Sequence, residues 1–257
     1  MKPHLAISSV VSLVLVTAPT TACDGSEAPR HAVPVVIAAP GLSPPTLTDL
    51  GYAVSLTEAR ARISDLVFTT AGETHAHSLI DDFTESLART FIGRARAHPG
   101  HAAGGEVLGE LPGVHDLDLL ADGAVVGQAM LLEGRYNGAD FRFVDGDTTA
   151  GFAMVLAGRA ERNGQVTTFS AVLDLAEPGL VVGAPLDLDF DGTPLTLAFG
   201  LTLVDPLASG PAATFFDGID FAALAVDGAL VVEAGGSTHN RLRRAALSHV
   251  FYHVISR

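Results

Sequence analysis

Residues 185–204 read "PLDLDFDGTPLTLAFGLTLV", and their pattern decides the fold class. Leu195, Leu197, Phe199, Leu201 and Leu203 recur at every second position, with Thr196, Ala198, Gly200 and Thr202 between them. Side chains of an extended chain alternate between two faces, so this period of two predicts a strand with one large-residue face. Leu186, Leu188 and Phe190 alternate in the same way with Asp187, Asp189 and Asp191. The Asp191-Gly192 turn signal between the two runs predicts that they pair as a hairpin.

Working outward, the same period recurs in "TFIGRAR", "GEVLGEL", "HDLDLL", "AVVGQAMLLEG", "ADFRFVDG", "GFAMVLAGRA", "VTTFSAVLDL" and "ALVVEA", with Asn163-Gly164 as a second turn signal. Many short strands separated by Gly, Asp-Gly and Asn-Gly predict a mainly β chain, an antiparallel β-sandwich or barrel. Residues 206–224 interrupt the alternation and read as a helical turn or two over an open end. After Gly235-Gly236, "STHNRLRRAALSHVFYHVISR" offers Ser237 or Thr238 as an N-cap and predicts a closing C-terminal α-helix over about 237–256. On such a helix Leu242, Ala246, His249 and His253 lie within about 60° of one another. The β-branched and aromatic residues of "HVFYHVI" would also suit a strand.

The N-terminal end gives an address. Lys2, an apolar run from Leu5 to Val16 and small residues leading to Cys23 make 1–22 an expected secretory signal peptide, too short to span a bilayer as a mature helix. Cys23 is the only cysteine, which excludes an intramolecular disulfide and is best explained by acylation at the cleavage site. Residues 23–50 carry several prolines and predict a lipid-anchored tether, within which Val33–Ala38 could add an edge strand, Pro34 being tolerable only there. Residues 51–257 then form one β-rich domain. The expected location is the cell envelope, with a membrane contact made through the lipid and a possible envelope protein partner.

Charge and composition exclude several functions. The formal charge is −14, and loss of Lys2 with the signal peptide makes it −15. That disfavours nucleic acid and anionic headgroups, and suits the collection of cations. Lys2 is also the only lysine, so the mature chain has no Schiff-base, P-loop or Ser-Lys chemistry. G-x-S-x-G, H-E-x-x-H, G-x-G-x-x-G and C-x-x-C are all absent. No catalytic activity is expected.

The histidines carry the functional reading. His75 and His77 in "GETHAHS" share one side of an extended segment, and the Pro-Gly pair of "HPGH" turns His98 toward His101. Four imidazoles so disposed suit Zn²⁺ or Cu²⁺. Glu73, Glu106 and Glu110 stand near in sequence as further ligands or as orienting partners, and His249 and His253 would complete the same site if their segment faces that loop. "DLDFDG" opens like an EF-hand loop, but Ala198 stands where the bidentate Glu belongs.

Thr20-Thr21-Ala22-Cys23 resembles the lipobox of bacterial lipoproteins, whose cysteine becomes the lipid-bearing first residue of the mature chain. With the segments "HAH", "HPGH" and "GGEVLGEL", the chain is similar to a group of bacterial surface lipoproteins and, more distantly, to His-rich, copper-associated MbnP-type periplasmic β-proteins. That resemblance implies an exported β body that handles a transition metal. The reading from another class is a lipocalin-like barrel holding an apolar ligand, or a structural interaction lipoprotein without a ligand.

Overall fold

The computed structural model describes residues 28–43, 45–70, 105–146, 149, 151–177, 179–206, 208 and 213–257. The chain is mainly β, as expected: its twelve strands form one large mixed sheet. In chain order these are β1 (His31–Ala38), β2 (Thr46–Leu47), β3 (Ala53–Thr69), β4 (Val107–Asp118), β5 (Val125–Leu131), β6 (Gly134–Phe143), β7 (Met154–Arg162), β8 (Gln165–Leu173), β9 (Leu180–Phe190), β10 (Leu197–Leu201), β11 (Ala229–Val232) and β12 (Tyr252–Ser256). Among the described residues two helices, α1 (Phe221–Leu224) and α2 (Ser237–Ala246), precede and follow β11. The predicted strand "TFIGRAR" lies outside the described residues.

One long strand organises the sheet. The first part of β3 pairs β7 from Ala53 to Ala61, and the last part pairs β6 from Ile63 to Thr69. The partner changes at Arg62, and just beyond it, between Ser64 and Leu66, Asp65 takes a positive φ of 55° and the register to β4 slips. Across the slip β4 inserts Pro112-Gly113, a bulge that bends both strands together. The path β3-β4-β5-β1-β10-β12-β9-β6 then returns to β3, so eight strands close a barrel. The remaining strands, β2, β7, β8 and β11, extend from the first part of β3 as a wing.

An eight-stranded barrel is wide enough to be filled by its own side chains or to hold one small ligand. Phe141 and Phe143 of β6, Phe199 of β10 and Tyr252 of β12 meet ring to ring inside it, with Phe141 centroids 5.0 Å from Tyr252 and 5.3 Å from Phe199. Under the wing, Phe169 packs on Phe216 and Phe221, and Phe215 bridges to Phe251 at the barrel end. The two parts share one continuous core.

The Asn163-Gly164 signal behaves as its chemistry dictates: both residues take positive φ (53° and 76°), and β7 and β8 pair from Arg162↔Gln165 onward. The Asp191-Gly192 signal does turn the chain, with Asp191 Oδ1 accepting from Thr193 N and Oγ1. It does not make a hairpin, however: β12 lies between β9 and β10. A turn fixes only a local reversal, whereas the slot between these strands is filled by residues some sixty positions away. β10 is also buried on both faces, Ala198 and Gly200 included, so its alternation is of size rather than of exposure.

Three further expectations are corrected. The closing helix ends at Ala246 rather than 256. A 3₁₀ turn (His249–Phe251) follows, then β12, because "HVFYHVI" supplies the β-branched and aromatic side chains that a barrel interior takes up. The tether does not reach residue 50, since His31–Ala38 is a barrel strand with Val33, Val35 and Ile37 buried. Nor is that strand an edge, because it lies between β5 and β10. Pro34 is tolerated because pairing to β10 starts only at Val35, so at Pro34 one side of the strand has no ladder to break.

Candidate functional site

Both ends of the segment 71–104 are held at one rim of the barrel. β3 ends and β4 begins side by side, with Thr69 opposite Val107. Thr70 N–H donates to Glu106 O (3.0 Å), Glu106 N–H donates to Thr70 Oγ1 (3.1 Å), and Asn137 Nδ2 donates to Thr70 O (2.6 Å). The segment that carries His75, His77, His98 and His101 therefore leaves and rejoins the barrel at a fixed point. Those four histidines and Glu73 lie outside the described residues, as does Cys23.

The rim itself is polar. Glu110 pairs with Arg30 (3.2 Å), both half exposed, so its carboxylate is already partly engaged. Glu106, at the Thr70 junction, is exposed. His31, the first residue of β1, sits opposite Leu131 with its ring edge on Phe190 (5.5 Å) and its Nε2 3.4 Å from Glu133 Oε1. A Cβ on Gly192 would stand 2.9 Å from that carboxylate and 3.0 Å from the imidazole, and Gly192 also has a φ of +85°. Only glycine fits this corner. Tyr136 locks the β5–β6 turn beneath, its hydroxyl lying 2.6 Å from Leu132 O and 3.0 Å from Leu108 O. Burial pushes its pKa up to about 12, which keeps the hydroxyl a donor.

His249 and His253 do not share a helical stripe. His249 opens the 3₁₀ turn, and His253 lies on the outer face of β12 opposite Gly200, which in turn pairs Ala38. Ala38 is the far end of β1 from His31, roughly 23 Å away at 3.3 Å per residue. The C-terminal histidines thus stand at the end of the barrel opposite the rim. Among the described residues no three His, Cys, Asp or Glu side chains gather as a metal would require.

His253 has a packing role instead. Its ring covers Gly200, where an added Cβ would meet it at 2.8 Å. Burial first, then the charge of Arg257, hold its imidazole below the ordinary value. The unfolded chain consequently binds this proton at a higher pH than the folded one, so stability is lost as pH falls through the ordinary imidazole range, from about 7 to about 5. The urea midpoint of the wild type should drop more between pH 7.5 and 5.5 than that of His253→Gln. Equal drops would show that the ring carries no such linkage.

Two other groups escaped the sequence reading. His31 was assigned to the tether, although "HAVPVVIA" alternates and could have marked it as a strand's first residue. His239 is buried on α2 with Leu242 and Ala246, and neither ring nitrogen has a hydrogen-bond partner among the described residues. Its signal is a stripe at 239, 242 and 246, one turn earlier than the stripe expected over 242–253. A third cluster is a clamp: Tyr52 O–H donates to Asp220 Oδ1 (2.5 Å), Arg162 lies over the Tyr52 ring (4.2 Å) and 3.6 Å from Asp220, and Asp220 also caps α1 through Ala223 N (3.2 Å). The hydrogen bond from Tyr52 holds the Asp220 carboxyl below its usual range, so it stays an acceptor. Comparison of the chain with protein-family models, with curated proteins and with solved structures finds no match.

Proposed function

We propose that this chain is a lipid-anchored envelope protein that binds Zn²⁺ or Cu²⁺ through His75, His77, His98 and His101, as a carrier, buffer or sensor rather than as an enzyme. The observation that carries the reading is the closure of segment 71–104 at the Thr70–Glu106 junction. Holding both ends of the segment lowers the entropic cost of bringing two histidine pairs to one ion, relative to a free chain. Glu106 and the His31–Glu133 pair stand at the same rim, where they can orient imidazoles or add a ligand. The acidic body adds attraction for a divalent cation.

β1 starts at this rim too, and Cys23 precedes Arg30 by seven residues. Seven residues span at most about 25 Å, so an acylated Cys23 would keep the rim close to the membrane surface. The lipocalin-like alternative is the weaker one, because the barrel interior is filled by Phe141, Phe143, Phe199 and Tyr252.

Calorimetric titration of residues 24–257 with Zn²⁺ and Cu²⁺ tests the proposal. One ion should bind with submicromolar affinity, and the double substitution His98→Ala, His101→Ala should weaken it at least about a hundredfold. An unchanged affinity in the double variant would end the metal reading.

A further inference from the structure

Among the described residues, the wing ends at β11 with no strand beyond it. β11 pairs β8 on one side, and on its other side, among the described residues, only Ala229 is engaged, exchanging hydrogen bonds with Val226 (2.9 and 3.0 Å) across the Asp227-Gly228 turn. Backbone groups of a strand alternate between its two sides. Gly228 O accepts from Thr168 N–H of β8 (3.2 Å) and therefore faces inward, Ala229 faces outward, Leu230 inward, and the N–H and C=O of Val231 outward.

A depression of about 410 Å³ follows this open side, lined by β11, by Leu224 and Val226, and by Gly236, Ser237 and Thr238 at the start of α2. Large apolar side chains are concentrated here, with Val226 75 %, Val231 69 % and Leu224 46 % exposed. Through Leu224, Ser237 and Thr238 it continues into a second depression of about 470 Å³ between the helices, which Arg241 and Arg244 also line.

The charge along this path is not that of the rest of the molecule. In a chain of formal charge −14, α2 carries Arg241, Arg243 and Arg244 and no acidic residue. Arg243 is tied to Asp174 O and Glu177 O, and Arg241 donates one N–H to Asp217 O (3.2 Å). Arg244 has no hydrogen bond or ion pair with any described residue. Gly236 caps α2 without a side chain, which leaves the first N–H groups of the helix without a side-chain acceptor. Of the acids that line the path, Asp220 is engaged by Tyr52, Ala223 and Arg162, and Glu233 stands at the β11 end.

We propose that this groove takes the extended C-terminal end of a partner protein. The partner strand adds to β11 through the N–H and C=O of Val231, and its apolar side chains cover Val231, Val226 and Leu224. Its terminal carboxylate meets the first turn of α2 and Arg244. Strand addition supplies affinity that is indifferent to sequence, and the apolar pockets and the positive end supply selectivity. The geometry favours a peptide over a free lipid because an acyl chain has no use for an unpaired N–H and C=O.

The test is a display library of random eight-residue C-termini on a carrier protein, selected against the chain from residue 23 with Cys23→Ser. Selection should enrich β-branched C-terminal sequences, and the synthetic peptide of an enriched sequence should bind at least about tenfold more weakly as its C-terminal amide. Arg244→Glu should cost a similar factor. Val231→Pro removes the exposed N–H at an edge, where proline is tolerated, and should abolish binding while the unfolding midpoint holds. Failure to enrich anything over the Val231→Pro variant, equal binding of acid and amide, or a concentration-dependent dimer that Val231→Pro dissolves would each overturn the proposal.

Discussion

A chain that stops at Phe251 is expected not to fold. The six residues removed are β12 and Arg257, and β12 is not an ornament at the terminus but the strand that closes the barrel between β10 and β9. Its loss deletes Tyr252 and Val254 from the interior and five residue pairs from β10. Burying a large aromatic side chain contributes about 3–5 kcal/mol by the measure of its truncation, and a valine about 1.5–3 kcal/mol. Each of several lost ladder hydrogen bonds adds about 1 kcal/mol. The sum rivals the 5–15 kcal/mol total stability of an ordinary domain. Opening the barrel also creates two long apolar edges, which invite association. Soluble yield and near-ultraviolet circular dichroism check this result against Arg257→Ala, which removes only a surface ion pair with Asp122 (2.9 Å) and should cost about 1 kcal/mol or less. A truncated chain that unfolds cooperatively near the wild-type midpoint would mean that the barrel closes without β12.

The same strand shows where sequence pattern stops informing. Asn163-Gly164 was legible as a turn, and the turn joins β7 to β8 because both central residues take positive φ and the partners are adjacent in the chain. Nothing local to Asp191-Gly192 could announce that Tyr252–Ser256 would enter between β9 and β10, since that choice depends on which distant strand fills the gap. Leu242 and Ala246 carried a true helical stripe, and its extrapolation to His249 and His253 failed because residues after Ala246 gain more from aromatic and β-branched burial inside the barrel than from three further helical turns. On the functional side, H-x-H and H-x-x-H are spacings read from the sequence alone, and their residues lie outside the described ones. The fixed rim that receives their segment was not legible there, because it is built from β1, β3, β4, β5 and β6 together. His31 was hidden for a related reason: the prolines around it read as linker until β5 and β10 claim the strand.

Phe141→Ala should lower stability by about 3–5 kcal/mol, and should do so without touching the metal reading. The ring is almost wholly buried and makes edge contacts with Phe143 (5.4 Å), Phe199 (5.3 Å) and Tyr252 (5.0 Å), so its removal loses transfer free energy, three favourable aromatic geometries and the packing of the barrel centre. Its neighbours are anchored on three strands held by ladder hydrogen bonds, and Tyr252 O–H is fixed to Ala246 O (2.8 Å), so little collapse can refill the space. The cavity left behind is lined by rings and dry, the kind of space that takes up a small apolar molecule. Urea unfolding gives the stability change, and titration with benzene or an apolar dye gives the second readout: the variant should bind the probe and the wild type should not. A wild type that binds as well as the variant would mean that the barrel already holds a ligand-sized cavity, and would restore the lipocalin-like reading. A wild type that excludes the probe while Zn²⁺ affinity stays equal in both would separate the barrel, as scaffold, from the rim.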